Sequence, residues 1–225
     1  MPEYNHYNEN LTLVSSLKGI SKDISLLSNS SSSYITSPYT YLQELRPGEG
    51  FQLDDSKYML GIDGYEIVGH NACSVYGVAV ILTYHLKGTD GIGVETRAEK
   101  CKELAVKYGY ATKDNYYISV GSLKGFANKC LEYYNSTLTA DSDLFYPWDS
   151  AKSEISNNRP VLINISSAPG SGYADHTVVA YGWSIYKNSS SDEYRFYKVR
   201  DGYSKNEIRY VDVERLSIYY ITKIN

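Results

Sequence analysis

An α+β fold is what the 225-residue sequence predicts, because its hydrophobic period changes part-way along the chain. Before Pro160 apolar residues recur at helical spacing. From Pro160 onward they alternate, in stretches rich in Val, Ile and Tyr. A third observation fixes the centre: the run Val75 to Leu82 is apolar almost all round a helix, which predicts a buried one. The expected layout is an N-terminal helical half whose central helix packs on a C-terminal antiparallel sheet.

Taken in order, residues 1 to about 45 stand apart. "SLLSNSSSSYITSPYTY" is Ser- and Asn-rich with little periodicity, and predicts an irregular arm preceded by a short helix or strand at "LTLVSSLKGI". "RPGEG" at 46–50 is expected to end it, giving an N-terminal arm over 1–50 and one domain over 51–225. The central helix should run from Cys73 to Leu86. "ETRAEKCKELAVKYGY" and "SLKGFANKCLEYY" each put apolar residues on one face, predicting two amphipathic helices. A shorter helix should start after Pro147, with Asp149 or Ser150 as its cap, and end before Pro160. The strands expected are "PVLINIS", "HTVVAYGWSIY", "EYRFYKVRD", "EIRYVDV" and "SIYYITKI", separated by Gly, Ser and Asn turns.

Composition narrows the function. The net charge is −4 with no basic block, so no nucleic-acid partner is expected. The longest apolar run is too short for a membrane span, which takes roughly 18 residues or more. "MPEYNHYNEN" lacks a signal-peptide pattern, while the many Tyr, Asn and Ser residues suit an extracellular or cell-surface protein. The 25 tyrosines fit sheet packing, with some lining a cleft as the other reading. Three cysteines without close spacing form neither a disulfide framework nor a CxxC-type zinc site. Oligomeric state is not legible.

The chemistry converges on "GHNACSVYGVAVILTYH", where Cys73 stands between a polar loop and the central helix. A thiol at the first turn of a helix meets the positive end of the macrodipole and unpaired backbone N–H groups. Both favour thiolate, and a histidine partner favours it further. The thiol's own N–H is placed to steady an oxyanion. Of His6, His70, His85 and His176, the last is the favoured base: it opens a strand directly after the Gly/Ser loop "SSAPGSGYAD". Asp201, at the strand end "YKVRDGYS", is the candidate orienter of the imidazole, or else a turn cap before Gly202. Asp175 should point away from the His176 side and be solvated. Cys101 and Cys130 fall on apolar helical faces and are expected in the core.

"HNACSVYGVAVILTYH", "RPVLINIS…ADHTVVAYGW" and "YKVRDGYS", in that order, resemble the papain-like cysteine peptidase superfamily, closest to the branch of bacteriocin-leader peptidases and their stand-alone relatives. The likeness covers roughly residues 60 to 225. It implies a papain-like fold, Cys73 as nucleophile, His176 as general base and acid, Asp201 as orienter, and a peptide or protein substrate. It implies no metal or organic cofactor. Where that family places a glutamine before the cysteine, this chain has Ile67, which leaves Asn71, with Gln52 behind it, as the candidate second oxyanion donor. Two rival expectations stand beside the peptidase: a catalytically inactive relative serving as a surface or interaction module, and an enzyme acting on other amides such as cell-wall stems or glutamine side chains.

Overall fold

A computed structural model describes residues 46–52, 71–144, 147–165, 176–187, 193–200, 209–213 and 219–225. The helices are α1 (Cys73–Asp90), α2 (Val94–Lys107), α3 (Val120–Tyr133) and α4 (Trp148–Ser156). The strands are β1 (Arg46–Gln52), β2 (Ala140–Asp143), β3 (Val161–Ile165), β4 (His176–Lys187), β5 (Glu193–Arg200), β6 (Arg209–Asp212) and β7 (Tyr219–Ile224). They form one antiparallel sheet in the order β2-β7-β3-β4-β5-β6, with β1 added alongside β4. The α+β layout is as the sequence predicts: helices from the first part of the chain pack on a sheet built mainly from the last.

The centre of the molecule is α1, buried without a break from Ser74 to Thr83. It extends past the expected Leu86 to Asp90 and stops where Gly91 takes a left-handed φ of 71°, its N–H returning to the Lys87 carbonyl at 2.9 Å. The helix lies close against the sheet because Gly77 has no side chain. A Cβ there would come within 2.8 Å of Leu162 Cδ2 and 3.4 Å of Thr177 Cγ2. Arg97 of α2 ties the helices together. Fully buried, it donates from Nη2 to both Asp90 carboxylate oxygens at 2.9 Å and from Nε to Thr83 at 3.2 Å, and it lies over the Tyr134 ring. Tyrosines fill the sheet's interior: Tyr197 and Tyr219 are both buried, their hydroxyls hydrogen-bonded at 3.0 Å.

Three local expectations need correction. Arg46–Gly50, expected as a break, is most of strand β1, which pairs with the far half of β4 and crosses the boundary set at residue 50. Pro47 is tolerated because β1 is an edge strand whose register shifts between Pro47 and Gly50. Strand β2 was not expected from "ADSD", a poor strand sequence. Pairing with β7 holds it, and the Asn128 side chain bonds both Ala140 N–H (2.8 Å) and Ala140 C=O (3.0 Å). In α4 the cap position is Pro147, with no side-chain cap bond among the described residues; the Ser150 hydroxyl turns to Asp143 instead.

Candidate active site

The turn before α1 sets the stage. Asn71 has a φ of 58°, a left-handed conformation that asparagine tolerates better than most residues. Ala72 follows at the cap position, and its carbonyl accepts the first helical bond, from Tyr76 N–H at 2.9 Å. The N–H groups of Cys73, Ser74 and Val75 therefore fall in the turn that a helix leaves open. Alanine offers no capping oxygen, and no side chain among the described residues takes that role. Cys73 is partly exposed at this end, where the macrodipole is positive.

His176 is the first residue of β4, paired across the ladder with Ile165 and only 3% exposed. Its side chain is hydrogen-bonded to the Cys73 thiol. Burial by itself would raise the pKa of that thiol. The hydrogen bond to His176, the charge of that ring, the Thr177 backbone N–H and the Ser74 hydroxyl oppose it, and the result falls from 9.0 to about 7. At neutral pH a large share of Cys73 is therefore thiolate. The residue after each member of the pair is a hydroxyl, and these also meet: Ser74 Oγ and Thr177 Oγ1 are 2.8 Å apart.

The other residues named from sequence fare differently. Asp201 lies outside the described residues, directly beyond the end of β5 at Arg200. Asn71 is exposed, and its Nδ2 donates to Asn115 Oδ1 at 3.4 Å. Gln52 ends β1 opposite Gly182, six positions further along β4 than His176, which is about 20 Å of strand. His85 is near the other end of α1, about 18 Å of helix from Cys73, which removes it as a base. His6, His70 and Asp175 lie outside the described residues. Cys101 and Cys130 are fully buried, as expected. The hydrogen bond between their thiols, and then burial, push Cys130 well above the ordinary thiol range.

No protein-family model and no curated protein matches the chain.

A nucleophilic atom with a pKa near neutrality sits beside an imidazole and beside open backbone donors, which is the equipment for attack on a carbonyl carbon. Among the described residues no group of His, Cys, Asp and Glu is placed to hold a metal ion, and no helix is long and apolar enough to cross a membrane. The sequence reading missed Ser74, Thr177 and Gly77. A signal existed for the first two: a hydroxyl residue directly follows both the candidate nucleophile and the candidate base.

Proposed function

We propose that this protein is a papain-like cysteine peptidase that hydrolyses peptide bonds through a thioester. The observation that carries the reading is the hydrogen-bonded Cys73–His176 pair, with the thiol brought down to about 7 at the open end of the central helix. In this reading the Cys73 sulfur attacks the peptide carbonyl, forming a C–S bond. The Cys73 N–H holds the oxyanion that develops. Protonated His176 gives its proton to the departing amine as the C–N bond breaks. Water then attacks the thioester, His176 taking its proton, and the acid leaves as the thiol re-forms. Asp201 is the proposed acceptor for the far imidazole N–H, and the chemistry draws on no cofactor.

The test is incubation with a diverse peptide mixture and identification of products by mass spectrometry. New termini that vanish in Cys73→Ala are the expected result. A chain with a reactive Cys73 that yields no cleavage overturns the reading. One observation favours a second reading, an inactive papain-like domain used as an interaction module: Asn71, the nearer candidate for a second oxyanion donor, directs its amide to Asn115. On that reading Cys73→Ala retains every binding partner and no peptide is cleaved.

A further inference from the structure

We propose that Ser74, Thr177 and Asn164 are positioning residues for the thiol–imidazole pair, forming a buried hydrogen-bonded chain that aligns the start of α1 with the start of β4. The inference rests on the reading of Cys73 and His176 as the reacting pair. The chain runs in one direction. Thr177 Oγ1 donates to Asn164 Oδ1 at 3.1 Å, which leaves its lone pairs to accept from Ser74 Oγ at 2.8 Å. Asn164 Nδ2 donates to Thr222 Oγ1 at 3.3 Å, and Thr222 Oγ1 meets Ser142 Oγ at 3.1 Å. Each of β4, β3, β7 and β2 thus supplies one member, so the chain crosses the sheet from the helix start to its edge. Register explains why these side chains meet. Thr177 pairs with Asn164 and Thr222 with Ser142, while Asn164 and Thr222 are diagonal neighbours.

Asn164 is fully buried within the apolar strand "VLINI", and Ser74, Thr177 and Thr222 are nearly so. A polar residue in such a place is costly unless every group is satisfied. Here the satisfaction is directed. Because Asn164 orients Thr177, the Ser74 proton is left to choose among Thr177 Oγ1, the Ile118 carbonyl at 3.4 Å and the Cys73 sulfur. The chain accordingly holds the pair in place.

Thr177→Val keeps the shape of the side chain and deletes the link; Thr177→Ser keeps the link. The readout is the rate of Cys73 alkylation by iodoacetamide across pH 5 to 10, which reports thiolate whether or not the chain cleaves peptides. In Thr177→Val the loss of one net hydrogen bond, about fivefold in the ionisation equilibrium, should move the midpoint upward and lower the rate at pH 7 about threefold. Thr177→Ser should return to within about twofold of wild type. A folded Thr177→Val with the wild-type profile overturns the inference. If that variant does not fold, Ser74→Ala takes its place under the same criterion. A wild-type thiol that titrates near the ordinary 8.5 instead sinks the peptidase reading itself, so the two failures are distinct.

Discussion

Ser74 and Thr177 share a 2.8 Å hydrogen bond, and each directly follows one member of the Cys73–His176 pair. Helix start and strand start are thereby joined twice, once through the thiol and imidazole and once through their neighbours. The second contact is buried, whereas Cys73 is partly exposed.

Alkylation should single out Cys73. Its rate should rise through pH about 7, since the thiolate reacts and protonation below that value removes it. Cys101 and Cys130, both fully buried and with Cys130 raised by its partner and by burial, should label only on unfolding. Peptide mapping after a brief pulse of reagent checks this; equal labelling of all three contradicts it.

Replacing His176 by Gln should remove the largest of the influences that lower the thiol. With burial still opposing ionisation, a return to 9.0 or above cuts the thiolate fraction at pH 7 from roughly one half to about one per cent or less, so alkylation there should slow about 50-fold or more. The gap between the two proteins should narrow as pH rises. Loss of rate at every pH would mean that His176 acts only by shaping the site.

Gly77→Val should loosen the helix from the sheet. The new Cβ would sit 2.8 Å from Leu162 Cδ2, and its methyl groups would press on Thr177 and Val179. Overpacking of this kind costs about 1–3 kcal/mol, visible in urea unfolding. Slower alkylation of Cys73 should accompany it, because the same displacement moves the thiol away from His176.

Asp90→Ala should destabilise by about 3 kcal/mol, because the guanidinium of fully buried Arg97 would lose the carboxylate that meets it through two 2.9 Å bonds. Asp90 itself, held below the usual carboxylate range mainly by Arg97 against the opposing effect of burial, keeps its charge well into acid. Denaturant midpoints of the variant and wild type at pH 7 decide the matter.

Acid should act through His85. Burial, then the nearby Arg159 charge, depress it from 6.5 to about 4, with Glu154 opposing. Between those values the unfolded chain binds a proton that the native state refuses, so stability falls as pH drops from about 6.5 to about 4 and is fully retained above. Thermal unfolding across that window should show wild type losing stability faster than His85→Gln. Parallel curves would exclude His85 as the cause.

The α+β layout was legible because α1 is apolar around its whole circumference and the strands after Pro160 alternate strongly. The Cys73–His176 pairing was legible from the position of each residue at the start of an element. What stayed hidden depends on partners distant in sequence. Strand β2 exists because β7 and Asn128 hold it, and "ADSD" carries no trace of either. Strand β1 hid behind a proline and two glycines that normally mark a break. Asn164 was visible as a polar intruder in "VLINI", but its meaning appears only once register sets it beside Thr177. Gln52 showed the opposite error: its residue type suited the oxyanion role, but the ladder places it too far along β4.

Strand β1 has a practical consequence for anyone trimming this protein. β4 is 12 residues long; β3 covers its beginning on one flank, and on that flank β1 is what covers the stretch from Gly182 to Lys187 among the described residues. A shortened version starting at residue 53 would lay bare a row of main-chain donors and acceptors next to Trp183 and Ile185, a template for self-association. Truncations meant to isolate the α+β unit should therefore begin upstream of Arg46, or they will yield aggregates whose behaviour says nothing about the thiol.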